Sequence, residues 1–282
     1  MSEPLVSVRF MVYNNEPYIR EAIESILMQQ TNFKVEIVVG DDFSTDNTLD
    51  IIKSYCDTEN IHINILDRPI GGDYWKVRQK LGRLYNFKNI VDNCQGKYIA
   101  LCDGDDYWTD PLKLQKQVDF LEGNLEYNIC FHSVKLFDED SRTFVKDSIT
   151  RKVDLTTTVV NLAKGNYMHT PSVVLRNNFR IPQWFNKVTI GDWALYMIAI
   201  KEGKIKKIEE EMAVYRLHNA SIWSNKSIEI RKKHTQETVR LIYRNLKKNL
   251  SSSAIQILQS RLGISKFNSK IFLKKVYRKL FK

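Results

Sequence analysis

The sequence predicts an α/β fold: a mixed, mostly parallel central sheet flanked by helices, followed by a basic helical tail. Three observations carry this. Apolar, β-branched runs alternate with helix-periodic segments through residues 5–102. Each crossover is long enough for a right-handed parallel connection. The polar breaks after the first, second and fourth runs all fall at the carboxyl ends of strands, the edge where open α/β sheets bind ligands.

The elements follow in order. Residues 5–12 (LVSVRFMV) alternate and suit a buried strand, which Tyr13-Asn14-Asn15 breaks before Glu16-Pro17 opens a helix. In that helix Ile19, Ala22, Ile23, Ile26 and Leu27 recur at helical spacing. A second strand over 35–39 ends at Gly40-Asp41-Asp42, and a helix covers about 48–55. Residues 61–66 read as a strand, 80–93 as a helix, and 97–102 as a strand stopping at Asp103. Beyond it, 112–122 is helical after Asp110-Pro111. Strands are expected over 128–137, 170–176 and within 205–217, with a helix over 192–201 between the last two. Two more helices are expected over 227–248 and 251–262.

Charge divides the chain. Residues 226–282 hold 16 Lys and Arg against two acids, whereas residues 1–225 hold 27 against 31. A mildly acidic body of 1–225 therefore precedes a basic helical extension of 226–282. Cys56, Cys94, Cys102 and Cys130 form no C-x-x-C pair and sit among apolar residues, as free buried thiols of a reducing compartment do. The first ten residues lack a basic segment followed by an apolar one, so no signal peptide is expected. Apolar runs such as 193–200 fall short of the roughly 18–20 residues that span a bilayer. The expectation is a cytoplasmic protein, peripheral at most to the inner face of the cell membrane.

Asp103-Gly104-Asp105-Asp106 directly follows the strand YIALC. Acids crowded at a strand end repel, and a hard divalent cation, Mg²⁺ or Mn²⁺, would neutralise them. A solvated acidic turn is the competing reading, since D-x-D matches are common by chance. Asp41-Asp42 adjoin the apolar run EIVVG at the same sheet edge, although Asp46 also reads as a helix cap and Ser44 as a turn residue.

Three segments together resemble the family 2 glycosyltransferases of the GT-A, Rossmann-like fold. They are VSVRFMVYNNEPYIREAIESIL, IVVGDDFSTDNT and GKYIALCDGDDYWTDPLKLQKQ, in that order and spacing. The resemblance covers roughly residues 5–223. It implies that Asp41 contacts the nucleotide base, with Tyr13 and Glu16 shaping that pocket. Asp103 and Asp105 would be the D-x-D pair, Asp105 the direct ligand of a metal bridging the diphosphate. The usual Pro-Thr before Tyr-Asn is Met11-Val12 here. No clear A-R-N segment precedes the fourth strand; Arg78, Arg83 and Lys88 are candidates for the basic group near the nucleotide, and Arg78 is chosen. Ile190-Gly191-Asp192-Trp193 matches the family's E-D dipeptide opening a helix, with Gly191 replacing the acid. That makes Asp192 the general base, against a competing reading as a helix cap. Tyr215-Arg216-Leu217-His218 resembles a late motif of the family, which implies His218 as a third metal ligand and Arg216 facing the pyrophosphate on the same side. The segment from His169 to Ser172 resembles one near the acceptor, without an assigned role. His62, His132 and His234 read as structural or solvated.

The function implied is inverting transfer of a hexosyl or N-acetylhexosaminyl group from a nucleotide-sugar donor, UDP-linked, to a glycan or lipid-linked glycan. A sugar-phosphate nucleotidyltransferase would carry a Gly-rich basic loop after the first strand, where this chain has YNNEPY. A non-catalytic scaffold on the same fold is the other reading, and Gly191 leaves room for it. The amphipathic basic stretch over 266–282 suits an anionic membrane surface, or packing on the body or on a second copy of the chain in a homo-oligomer. Nucleic acid is not expected, because no recognition module accompanies the charge.

Overall fold

A computed structural model describes residues 3–219 and 226–264. Val6–Val12 (β1), Val35–Asp41 (β2), Ile61–Ile65 (β3) and Tyr98–Asp103 (β4) are the expected parallel strands. Ile19–Leu27 (α1) and Thr48–Lys53 (α2) link the first three. Asp73–Leu81 (α3) and Arg83–Asn93 (α4) lead into the fourth. The single helix expected over 80–93 is thus two. Gly82, at φ +84°, turns the chain in the left-handed region that only glycine enters freely. The sequence reading missed α3 because it buries no residue and so carries no apolar stripe.

The rest of the sheet is mixed. Tyr107–Trp108 (β5) and Lys113–Gly123 (α5) precede the long strand Tyr127–Asp138 (β6), on which Thr143–Val145 (β7) folds back. Thr156–Thr158 (β8) and Val159–Ala163 (α6) follow. The strand expected over 170–176 is a 3₁₀ turn, Thr170–Ser172, and a short strand, Val174–Arg176 (β9). Pro171 has no N–H to give a ladder. Gly191–Ala199 (α7) and Lys204–Leu217 (β10) complete the body. The strand order is β3-β2-β1-β4-β9-β6-β10-β5, with β6 and β10 parallel and β9 antiparallel to both its neighbours.

Alternation along the strands builds two apolar layers. Val8, Phe10, Ile37 and Ala100 face α1 and α5, against Ile23, Ile26, Leu114 and Val118. Val38, Ile99 and Leu101 face the other side, against Phe87, Ile90, Trp193 and Leu195. Ile228–Leu246 (α8) and Ser252–Arg261 (α9) each start at a serine whose hydroxyl accepts a backbone N–H. Their Val239, Ile242, Ala254 and Leu258 are buried in this second layer. The described part of the basic extension therefore packs on the body; the stretch 266–282 lies outside the described residues. Among the described residues no helix is long and apolar enough to cross a membrane.

Gly40, at the end of β2, shows how tightly α4 closes on the sheet. A Cβ there would lie 2.2 Å from Ile90 Cγ1 and 2.8 Å from Arg68 Nη1. Gly40→Ala is expected to cost about 1–3 kcal/mol by overpacking. The check is a lower urea midpoint at unchanged m-value.

Candidate active site

β1, β2 and β4 end side by side, with Met11 paired to both Gly40 and Asp103. Their loops are tied together by side chains. Asn14, at φ +48°, receives Thr45 N–H at 2.8 Å on its Oδ1 and donates its own N–H to Ser44 Oγ at 2.9 Å. Asp41 accepts Ser44 N–H at 3.0 Å and Ser44 Oγ–H at 2.5 Å. Glu16 accepts both the backbone N–H (3.1 Å) and the side-chain amide (2.7 Å) of Asn47. Asp41 and Glu16 thus shape one rim. Tyr13 stands beside them, 54% exposed.

Beneath that rim lies a residue the sequence reading did not single out. Arg68 donates to the Asp41 carbonyl (3.2 Å) and to the side-chain oxygens of Asn86 (2.5 Å) and Asn89 (2.6 Å), with its guanidinium over the Tyr74 ring. Arg78, chosen as the basic group near the nucleotide, is instead clasped by Asp42 through two bonds of 2.7 and 2.5 Å. That bond raises its pKa. Arg83, a candidate alongside Lys88, is exposed and donates to the Thr189 carbonyl at 3.2 Å. Loss of water contact lowers its pKa, and the charges of Asp192, Asp103 and Asp42 act to raise it.

Asp103 meets a second unforeseen cation. Arg9, wholly buried in β1, places Nη2 2.7 Å from Asp103 Oδ1 and its guanidinium over Phe87. A lone arginine in the apolar run VSVRFMV was the available signal, because a buried guanidinium requires a partner. Loss of water contact raises the Asp103 pKa, Arg9 draws it back, and Asp105 adds to the rise. Asp105 faces His218, whose Nε2 is 3.0 Å from Asp105 Oδ2 and whose ring packs on Tyr18. Asp106 is buried, and burial lifts its pKa well above the usual carboxylate range; it accepts Arg216 N–H at 3.0 Å.

Arg216 and His218 both pack on Tyr18. The Arg216 guanidinium is held by Glu21 and Glu139 and lies over the Tyr107 and Tyr18 rings. A buried guanidinium takes the carboxylates nearest to it, and here they belong to α1 and to the turn after β6. The Arg216 backbone N–H anchors the Asp106 loop.

Among the described residues no three of Asp, Glu, His and Cys group to hold a metal ion by themselves. Asp103, Asp105 and His218 thus do not form a closed cage, because Asp103 is drawn to Arg9. The donors that do face each other, one carboxylate and one imidazole, fit a hard cation whose remaining ligands are diphosphate oxygens and water.

Asp192 sits in the first turn of α7, one residue inside its start; the cap position is Ile190, and no side chain caps there. Asp192 Oδ2 accepts Asn166 Nδ2–H at 2.8 Å, a contact invisible in sequence because 26 positions separate the two. Burial raises the Asp192 pKa, the Trp193 N–H lowers it, and the charge of Asp103 raises it again. At Gly191, where the resemblance leads one to expect an acid, a Cβ would lie 2.8 Å from Leu84 Cδ2, so an acid there would require Leu84 to shift. His169 pairs with Asp147, Nε2 to Oδ2 at 3.0 Å, and stacks on Tyr215, a contact the sequence reading left without a role.

Paired carboxylates thus lie at the edge of a parallel sheet, with a buried cation beneath them and a further carboxylate at a helix start. The chain belongs to glycosyl transferase family 2, whose profile matches residues 7–180. An uncharacterized Mycobacterium tuberculosis protein, Rv1520, is 39% identical over 80% of this chain, which spans 63% of that relative's length. The Bacillus subtilis protein provisionally named teichuronic acid biosynthesis glycosyltransferase TuaG is 30% identical over 79% of this chain and 83% of its own. The fold matches Staphylococcus aureus TarS 1–349 in complex with UDP-GlcNAc at a TM-score of 0.65. That match has 21% identity and covers 94% of this chain and 74% of TarS 1–349.

Proposed function

We propose that this chain transfers a sugar from a nucleotide-diphosphate donor to a hydroxyl of a glycan or lipid-linked glycan, with inversion at the anomeric carbon. The observation that carries the reading is the position of Asp192. It is a desolvated carboxylate oriented by Asn166, and Asp103 and Arg83 both act on it electrostatically. The family places its base at this helix start, and burial raises the carboxyl's pKa, which makes it a stronger proton acceptor.

Asp41, with Tyr13 and Glu16 at the rim, takes the nucleoside. Arg83 sits where the leaving diphosphate gathers charge, and Arg9 holds Asp103 in place from below. The acceptor oxygen attacks the anomeric carbon as its proton passes to Asp192, and the carbon–oxygen bond to the diphosphate breaks with the electron pair leaving on the nucleotide. Asp105 and His218, with Asp103 alongside, would hold Mn²⁺ or Mg²⁺, which would neutralise charge on that leaving group. A UDP-linked hexosyl or N-acetylhexosaminyl donor and a cell-surface polysaccharide acceptor agree with the names of TuaG and of the TarS complex.

Calorimetric titration of UDP, GDP and CDP, each with Mn²⁺ and then with chelator, tests the donor side. Metal-dependent binding of UDP alone is expected. Failure of all three nucleotides to bind would favour a scaffold on the same fold.

A further inference from the structure

The two C-terminal helices touch the surroundings of Asp192 at two separate places. The first is the turn that opens α7. That helix has no side-chain cap of its own, and Thr238 of α8, fully buried, holds the two residues that lead into it. Its Oγ1 is 3.2 Å from Ile190 N, 3.4 Å from Thr189 N and 3.0 Å from Thr189 Oγ1. One turn earlier on α8, the His234 carbonyl accepts the Thr189 hydroxyl at 2.8 Å. The remaining polar group of Thr189, its carbonyl, accepts Arg83 Nη2–H at 3.2 Å. Thr189 is therefore a node with α8 on one side and the arginine of the site on the other.

The second place is Trp193, the residue after Asp192. The Arg261 guanidinium of α9 lies over its indole ring, 5.0 Å from the centroid. Arg261 also donates to the Lys164 carbonyl, two residues before Asn166, which holds Asp192 Oδ2. The indole N–H is fixed to the Leu162 carbonyl at 3.0 Å. Both the backbone before Asp192 and the segment carrying its hydrogen-bond donor are thus braced by helices beyond residue 226.

We infer that Thr238 is a positioning residue for transfer: its hydroxyl anchors the backbone of Thr189 and Ile190 that leads into α7, and so sets the place of Asp192 and of Arg83. The inference rests on Asp192 being the base. A displacement of about 1 Å in a reacting group can cost roughly a hundredfold in rate, so one buried hydroxyl suffices to matter. Thr→Val keeps the shape and deletes the hydroxyl, leaving Ile190 N–H without that acceptor.

The test uses the full chain as Thr238→Val, Thr238→Ser and Asp192→Asn. Two readouts are taken: hydrogen exchange of peptides spanning residues 189–196, and release of UDP from UDP-N-acetylglucosamine. Thr238→Val is expected to speed exchange there about tenfold and to slow UDP release about tenfold or more, with UDP affinity held. Thr238→Ser should restore both. Unchanged exchange in Thr238→Val overturns the inference, and so does faster exchange with undiminished release, which would leave α8 a packing element. If Asp192→Asn releases UDP at the wild-type rate, or the wild type releases none, the functional reading fails instead, while the exchange result still decides whether α8 holds the turn. Should Thr238→Val not fold, Thr189→Val removes the hydroxyl's bonds to the His234 carbonyl and to Thr238 Oγ1 but keeps the backbone N–H bonds to Thr238, and should show the same pattern more weakly.

Discussion

Asp192→Asn is expected to lower transfer about 10²–10⁴-fold, the usual contribution of a positioned base, while UDP binds as before. Asparagine keeps an oxygen for Asn166 to donate to but cannot take the acceptor's proton. The pH profile provides a second check. Burial raises the Asp192 pKa, so as pH falls the base is lost earlier than an ordinary aspartate near about 3.9. The acid limb of turnover should therefore lie above that range and should vanish in the variant. Stability should move the other way. A carboxyl whose pKa is higher folded than unfolded stabilises the fold only at low pH, and that contribution is lost as pH rises through the folded value. At neutral pH the ionised Asp192 costs stability, so Asp192→Asn should unfold at an equal or higher urea midpoint. Turnover within about twofold of wild type would remove Asp192 as the base.

Asp105→Asn is expected to cost about 10²–10³-fold in turnover, comparable to removing one electrostatic contact to a leaving group. The distinguishing result is in binding: UDP affinity should become insensitive to Mn²⁺ and chelator. His218 faces Asp105 at 3.0 Å, so His218→Gln should weaken the same metal response. Asp103→Asn is a different experiment, since it leaves the buried Arg9 guanidinium without its carboxylate partner, and part of its effect should appear as lost stability of several kcal/mol. Mn²⁺-dependent binding that survives Asp105→Asn would refute the assignment of the metal to this loop.

These two variants separate what could be read along the chain from what could not. The strand ends at Asp41 and Asp103 were legible because an apolar run of period two stops at each, and a parallel sheet gathers such stops on one edge. The first four strands fall where the periodicity puts them. The helix α3 did not show, because it buries nothing, and Gly82 split what looked continuous. Arg9 was visible as a charge inside an apolar strand, yet only the pairing of β1 with β4 shows that Asp103 answers it.

Sequence by itself determined the positions of the first four strands, the carboxylates at the strand ends and the family resemblance, since each is written in contiguous residues and their local period. Tertiary structure alone decided which charges are available. Arg216 goes to Glu21 and Glu139, Arg78 to Asp42 and Arg9 to Asp103, because a guanidinium withdrawn from water takes a carboxylate that the fold brings near. It also decided that Asn166 and Thr238, 26 and 46 positions from Asp192, stand around it. Hydrogen bonds between residues so far apart in sequence leave no periodic trace, and only the packing of α7 between the sheet and α8 brings them into reach.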